Sequence, residues 1–183
     1  MWHHLRDVRN PHVLDLGPVS PHTIALLVRR EAKVYVSDLI SPPFEGDARF
    51  WDRSGKVPVF LAGKLLEDLP SELQGSLTAI LSWNLLDLVP PAALGKIVDR
   101  LLALLQPLGV LFCILREPQL KEGVERRWWL ETLTSARNEP EIRKPYSYPA
   151  ISNREIERLL SSASVKTFLT RSGRREILAM RQR

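Results

Sequence analysis

Cysteine is almost absent from this sequence, because the 183 residues contain only Cys113. A single cysteine excludes an internal disulfide and the zinc sites that need paired cysteines. The four histidines also lack the helical His/Glu spacing of metal-binding motifs, so we expect no metal. Cys113 lies within the apolar run 109–115, and we predict that it is a small buried residue of a strand.

Long hydrophobic runs are absent as well. No stretch approaches the ~20 apolar residues that a membrane-spanning helix requires, so we expect no membrane association. Residues 1–7 carry charges of both signs with no apolar segment behind them, which argues against a secretory signal. We therefore expect a cytoplasmic protein. With 44% hydrophobic residues, the length predicts a single domain over 1–183.

The charge is unevenly distributed along the chain. Residues 1–115 carry 11 basic and 12 acidic side chains, whereas 116–183 carry 15 and 9. The basic C-terminal third is compatible with an anionic partner, but no aromatic residue is interleaved among its last arginines, and this favours a solvated basic face. These arginines are Arg171, Arg174, Arg175, Arg181 and Arg183.

Short apolar runs alternate with amphipathic segments, a pattern typical of α/β proteins. The predicted strands are residues 12–16, 33–38, 57–62, 77–83 and 110–115. Pro58 places the third strand at an edge or makes it begin there. The last two runs, 165–170 and 176–181, are joined across Ser172 and Gly173 and predict an antiparallel hairpin.

Four helices are predicted between these strands. Ser20 and Pro21 mark the N-cap and first turn of one helix, and a second follows Pro90 with its apolar residues at i, i+3 and i+4 spacing. A long helix is expected over 119–137. Ser152 and Glu155 form a capping box for a short helix.

Four segments carry a resemblance to a known family. They are 13–17 (VLDLG), Asp38 after the second strand, 80–89 (ILSWNLLDLV) and 102–111 (LALLQPLGVL). Together with the strand order, they resemble the class I S-adenosylmethionine-dependent methyltransferases over nearly the whole chain. The resemblance implies an α/β fold with a Rossmann-like open, mostly parallel sheet, a C-terminal antiparallel β-hairpin and helices on both faces.

The resemblance also implies a cofactor, S-adenosylmethionine, and the residues that would bind it. These are Asp15, Gly17, Asp38, Ser82 and Asn84, with Asp38 at the position that binds the ribose hydroxyls in the family. Each polar residue has a structural alternative. Asp15 can hold the backbone of its own loop, Asp38 can be a turn residue and Asn84 can cap a helix. No catalytic residue or methyl acceptor is indicated.

The sequence departs from the family pattern in its first loop. Val19 stands where the family has glycine, Pro21 stands where it commonly has a third glycine, and Lys64 lies near a position that is often acidic. Two functions therefore stay open. The chain is either an S-adenosylmethionine-dependent methyltransferase of unknown acceptor, or a methyltransferase-like domain that has lost cofactor binding and acts as a protein-binding or regulatory subunit.

Four aromatic residues suggest a surface for a protein partner or a second copy of the chain. Trp128 and Trp129 are expected in the long helix, where neighbours point about 100° apart and cannot both face the core. With Tyr146 and Tyr148 and nearby arginines, they are candidates for an interface. The alternative is that a tryptophan fills a gap beneath a loop.

Overall fold

A computed structural model describes residues 8–120, 125, 127–139 and 146–183 of the chain. Ten strands occur in this part. They are β1 His12–Asp15, β2 Lys33–Val36, β3 Trp51–Asp52, β4 Val59–Phe60, β5 Leu77–Trp83, β6 Leu105–Arg116, β7 Trp128–Thr132, β8 Ser135–Asn138, β9 Ala163–Leu169 and β10 Arg174–Arg181. The α-helices are α1 Pro21–Val28, α2 Ser41–Glu45, α3 Ala62–Glu67, α4 Leu85–Leu88, α5 Pro91–Leu104 and α6 Asn153–Leu159.

The main sheet has six strands in the order β2-β1-β5-β6-β10-β9. The first four strands run parallel, whereas β10 is antiparallel to both β6 and β9. Gly173, with φ of 72°, makes the turn between β9 and β10. The open, mostly parallel sheet with a C-terminal antiparallel hairpin is confirmed.

The two central strands form the middle of the core. Every residue of β5 is buried, and β6 is buried from Gly109 to Leu115. Strands covered on both faces are expected to be continuously apolar, and these two segments are almost entirely apolar. Cys113 is buried within β6, as predicted, and burial raises the pKa of its thiol to about 12.

Helix boundaries agree with the sequence signals at three places. The Ser20 hydroxyl accepts a hydrogen bond from Thr23 N at 3.3 Å, with Pro21 in the first turn of α1. The Ser152 hydroxyl likewise accepts a hydrogen bond from Glu155 N at 3.2 Å, at the start of α6. The buried residues of α5 follow the predicted spacing. No helix in the described ranges is long and apolar enough to cross a membrane.

The prediction that residues 57–62 form a strand of the main sheet is wrong. Only Val59–Phe60 is extended, and it pairs with Trp51–Asp52 in a separate two-stranded sheet. Pro58 lacks a backbone donor, and Val57 and Val59 are 73% and 59% exposed. The short segment 57–60 therefore buries too little apolar surface to join the core.

The prediction of a long helix over 119–137 is also wrong in its described part. Trp128–Thr132 and Ser135–Asn138 form an antiparallel hairpin, and residues 121–124 and 126 lie outside the described residues. Burial alternates along β7, since Trp128 and Leu130 are buried while Trp129 is half-buried. Alternation with period two favours a strand over a helix, and the segment 132–135, Thr-Leu-Thr-Ser, suits a turn.

Two glycines offer a matched test of the sheet. A Cβ at Gly109 would lie 2.8 Å from the Leu77 carbonyl oxygen, whereas a Cβ at Gly95 in α5 would meet nothing within 4 Å. We expect Gly109→Ala to lower the free energy of unfolding by about 1–3 kcal/mol, because it separates β5 from β6. Gly95→Ala should raise it by about 0.5–1 kcal/mol through helix propensity. Urea unfolding of both variants measures the difference, and equal effects would contradict this account of Gly109.

Candidate functional site

The predicted site residues meet at the carboxyl ends of β1, β2 and β5. The chain goes from β1 to β2 on one side, and β5 adjoins β1 on the other, so the strand order reverses beside β1. Open α/β sheets bind ligands at such a reversal. Asp15, Gly17 and Asp38 follow β1 and β2, and Ser82 and Asn84 lie at the end of β5.

The centre of this site is a contact between Asp15, Gly17 and Trp83. The Asp15 carboxylate oxygen Oδ1 accepts hydrogen bonds from Gly17 N at 2.9 Å and from Trp83 Nε1 at 2.7 Å. A Cβ at Gly17 would lie 3.0 Å from Cδ1 of Trp83. The indole therefore lies directly against the glycine.

Burial dominates the electrostatics of Asp15. The side chain is 1% exposed, and burial raises the pKa of its carboxyl from 3.8 to about 6, although the bonds from Trp83 and Gly17 act in the opposite direction. The nearby positive charge of Arg127 also lowers this pKa. Asp15 is thus held mainly by protein groups inside the loop, which is the structural role considered from the sequence.

Trp83 is fixed by its backbone as well as by its side chain. It has a φ of 48°, which is uncommon for a residue other than glycine, and it is completely buried. Its ring meets Phe112 edge-on with centroids 5.9 Å apart. Backbone conformations of this kind persist where the surroundings determine them, and they concentrate at functional sites.

Asp38 uses both carboxylate oxygens locally. Oδ1 accepts from Ile40 N at 3.0 Å and Ser41 N at 2.9 Å, and Oδ2 accepts from the Ser41 hydroxyl at 2.6 Å. These contacts turn the chain from β2 into α2. The geometry supports a turn role, and the Asp38 carboxylate keeps one further acceptor site on Oδ2.

The loop between β1 and α1 is tied to the β7–β8 hairpin. Val19 is 59% exposed, but its carbonyl accepts a hydrogen bond from the Arg127 guanidinium. Leu130 N donates to the Thr23 hydroxyl at 3.0 Å, and the His22 ring contacts the Glu131 carbonyl at 3.2 Å. The hairpin is therefore attached to the start of α1.

Ser82 and Asn84 are both buried, at 0% and 1% exposure. Ser82 lies within β5. The Asn84 side-chain amide donates to the Glu125 carbonyl at 2.9 Å, so it anchors that residue across the ends of the strands. In this arrangement Asn84 supports the protein backbone.

A buried ionic cluster covers the ends of β5 and β6. Glu125 pairs with Arg174, and its Oε2 accepts from the Tyr146 hydroxyl at 3.1 Å. The Arg116 guanidinium lies 4.1 Å from the centre of the Tyr146 ring. Burial places this cluster in a low-dielectric environment, where removal of one charged partner is costly.

Asp87 and Arg175 extend the same cluster. Asp87 Oδ2 accepts from Arg116 N at 2.8 Å, and burial raises the pKa of its carboxyl to about 6. Arg175 is 2% exposed and donates to the carbonyls of Arg116 and Ile151 at 2.8 and 2.6 Å. The expected solvated basic face is therefore wrong for Arg174 and Arg175, whose charges are paired inside.

The four aromatic candidates do not form one exposed patch. Trp128 is 7% exposed and lies 5.7 Å from the Arg174 guanidinium, and Tyr146 is occupied by Glu125 and Arg116. Trp129 and Tyr148 are half-buried. A partner surface at these residues stays a prediction, and Trp128 fills the space beneath the hairpin.

Comparisons with known proteins find similarity in structure alone. No family model and no curated protein matches the sequence. A Burkholderia thailandensis 1,6-didemethyltoxoflavin-N1-methyltransferase, solved with S-adenosylhomocysteine, is 19% identical at a TM-score of 0.57, over 100% of this chain and 75% of that one. A Listeria monocytogenes protein described as a putative S-adenosylmethionine-dependent methyltransferase is 18% identical at 0.54, over 100% and 98%. A methyltransferase of Methanosarcina mazei is 16% identical at 0.54, over 97% and 95%.

The chain has the fold of the class I methyltransferases. The similarity extends over almost all of its length, so the fold family implied by the four sequence segments is confirmed. S-adenosylmethionine is the cofactor named for these neighbours, as the resemblance implied.

The site residues of this methyltransferase fold do not fit that cofactor in the arrangement described. Gly17 lets a ligand approach the backbone only if the adjacent space is open, and the Trp83 indole lies in that space. The carboxylates that the resemblance assigns to the cofactor are bonded to Trp83 and Ser41. Binding beside Gly17 would require movement of Trp83.

Sequence reasoning missed Trp83 as the central residue. It lies between two predicted site residues, Ser82 and Asn84, at the end of a buried strand. The signal available in the sequence was a large aromatic residue at the end of β5, the strand that lies beside β1 and the Gly17 that follows it. The cluster of Glu125, Arg116, Arg174 and Arg175 had no such signal, because it joins two segments that are distant in sequence, 116–125 and 174–175.

The pKa of Asp15 predicts a pH-dependent difference for Asp15→Asn. Between its ordinary pKa of 3.8 and about 6, the folded state holds the Asp15 proton more tightly than the unfolded chain does. This stabilisation is present at low pH and is lost as the pH rises from about 4 to about 6. Asparagine keeps an oxygen acceptor and does not titrate. Relative to wild type, the free energy of unfolding of Asp15→Asn should therefore rise by on the order of 2 kcal/mol between pH 4 and pH 7.

Urea unfolding at both pH values measures this difference. Asp52→Asn is the matched control, because Asp52 is exposed and its bonds from Ser54 lower its pKa. The control should show no such rise. A difference for Asp15→Asn that is the same at both pH values would contradict the assigned titration.

Proposed function

We propose that this chain is a methyltransferase-fold domain that has lost cofactor binding and serves as a protein-binding or regulatory subunit. The observation that carries the proposal is the position of Trp83, whose buried indole lies against Gly17 and donates to Asp15. A side chain in this position competes directly with any ligand that approaches the loop after β1.

Displacement of Trp83 would be costly for two reasons. The indole would leave a fully buried position beside Phe112, and removal of a large aromatic side chain from a core costs about 3–5 kcal/mol. Asp15 would also lose one of its two donors while it is buried, and would keep only Gly17 N. A cofactor would have to supply this free energy before any gain in affinity.

The surrounding loop supports the same conclusion. Val19 and Pro21 stand where the family pattern has glycine, and Arg127 donates to the Val19 carbonyl. The hairpin that follows Arg127 is bonded to Thr23 in α1. These links restrict the rearrangement that would widen the loop.

S-adenosylmethionine-dependent methyl transfer is the second candidate function, with an acceptor that the sequence does not indicate. It is favoured by the fold and by the presence of Asp15, Gly17 and Asp38 at the strand ends. The reaction needs mainly alignment of an activated methyl donor, so the lack of an evident general base does not oppose it. This candidate requires Trp83 to swing away from Gly17.

Titration calorimetry with S-adenosylmethionine and S-adenosylhomocysteine distinguishes the two functions. We expect no binding to the folded wild type at concentrations up to about 1 mM, because Trp83 occupies the space beside Gly17. Trp83→Ala should gain measurable affinity for S-adenosylhomocysteine, since it opens this space and releases Asp15. Trp83→Met is the second variant in case the alanine variant does not fold.

The outcomes separate cleanly. Micromolar binding to wild type that is abolished by Asp38→Ala would overturn the proposal and favour an enzyme. Asp47→Ala is the matched control, because Asp47 is a surface carboxylate that also caps its own turn, and this variant should keep the binding. Failure of every folded Trp83 variant to bind would show that Trp83 is not what excludes the cofactor. The loop at Pro18 and Val19 would then be the obstacle.

A further inference from the structure

A cavity lies away from Trp83, between the β3–β4 hairpin, the start of α3 and the start of α5. Its volume is about 510 Å³, within the range of small-molecule sites. None of the cofactor-site residues predicted from the sequence lines it. The residues that define it are Trp51, Phe60, Gly63, Pro90, Lys96 and Tyr148.

The walls of this cavity are aromatic and apolar. Trp51 and Phe60 face each other across the β3–β4 pair in an edge-on contact, with ring centroids 5.2 Å apart. Both are only half-buried, although large aromatic side chains contribute most when they are covered. Pro58 and Val59 continue the wall and are exposed. A planar apolar group would cover this surface.

The polar groups of the cavity are hydrogen-bond donors without acceptors. Lys96 and the Tyr148 hydroxyl make no hydrogen bond or ion pair with the described part of the chain. The Trp51 indole N–H likewise has no acceptor among these residues. Lysine and indole can only donate, so a ligand that satisfies them must bring acceptor atoms.

The Lys96 side chain is exposed, and the lack of a side chain at Gly63 lets its ammonium group lie against the start of α3, at the edge of the cavity. A Cβ at Gly63 would lie 3.0 Å from Lys96 Nζ and would meet nothing else within 4 Å. The absence of a side chain at Gly63 thus leaves room for the ammonium group and for a ligand beside it. Burial also raises the pKa of the Tyr148 phenol, which keeps it a donor near neutral pH.

From the aromatic walls and the unpaired ammonium group, we infer that this cavity binds a small aromatic carboxylate, with the ring against Trp51 and Phe60 and the carboxylate on Lys96. The site is separate from the loop after β1 and does not depend on the proposed function. A small-molecule site would nevertheless suit a regulatory domain, because ligand occupancy can alter the surface formed by β3, β4 and α5.

Titration calorimetry with 1-naphthylacetate tests this inference on the whole chain. We expect a Kd below about 1 mM for wild type, in keeping with the size of the probe. The neutral isostere 1-naphthylacetamide should bind about tenfold more weakly, because its carbonyl can accept a hydrogen bond from Lys96 but carries no negative charge to pair with the ammonium group. Lys96→Met should weaken 1-naphthylacetate by a similar factor and weaken 1-naphthylacetamide much less.

Two further variants complete the design. Gly63→Leu should abolish binding of both probes, because its side chain would occupy the floor of the cavity, and no positive φ makes the substitution strained. Lys64→Met is the matched control, since Lys64 is an exposed neighbouring lysine that does not line the cavity. It should bind 1-naphthylacetate as wild type does.

Three results would overturn the inference. They are the absence of 1-naphthylacetate binding to folded wild type at millimolar concentration, equal affinities for the two probes, and equal losses in Lys96→Met and Lys64→Met. Each can be read independently of S-adenosylmethionine binding, because Trp83 does not line this cavity.

Discussion

The hydrogen bond from Trp83 Nε1 to the buried carboxylate of Asp15 determines what the strand ends can do. Asp15 lies on β1 and Trp83 on β5, which are neighbours in the sheet. The bond therefore links the carboxyl ends of these two strands at the place where the strand order reverses. A buried carboxylate without a donor is unfavourable, and a buried indole N–H without an acceptor is as well. Each group satisfies the other, and together they occupy the position where a methyltransferase fold would admit a ligand.

Buried charged side chains are also paired at the ends of β5 and β6. Glu125 pairs with Arg174 and accepts from the Tyr146 hydroxyl, and Arg175 donates to the backbone carbonyls of Arg116 and Ile151. These interactions hold the chain segments that cross the top of the sheet. Over the described residues, side chains that are bonded to one another cover the ends of β5 and β6. The Asp15–Trp83 pair and the Glu125–Arg174 cluster are held in place for the same reason, because an unpaired charge in the interior is costly.

The sequence predicted the features that depend on local pattern. Buried strands such as Leu77–Trp83 read as continuous apolar runs, Ser20 and Ser152 marked helix starts, and the C-terminal hairpin followed from two runs around Gly173. The errors arose where tertiary contacts decide the outcome. Residues 128–138 combine apolar and polar positions that suit either a helix or a strand, and the hydrogen bond from Leu130 N to the Thr23 hydroxyl favours the strand. The pairing of Arg174 with Glu125 joins residues 49 positions apart, so no spacing rule could reveal it.

The fold can be kept while the site changes, because the two depend on different residues. The free energy of the domain comes mainly from the apolar residues of β5, β6 and α5, and none of these requires an open loop after β1. On the proposed function, Trp83 can therefore close the cofactor position while the sheet keeps its order. The cavity beside Lys96 lies on elements outside the main sheet, β3, β4 and the start of α3, where the aromatic side chains of Trp51 and Phe60 are half-buried. Ligand binding at such a position would use surface that the core leaves uncovered, because Val59–Phe60 pairs with Trp51–Asp52 and not with a strand of the main sheet.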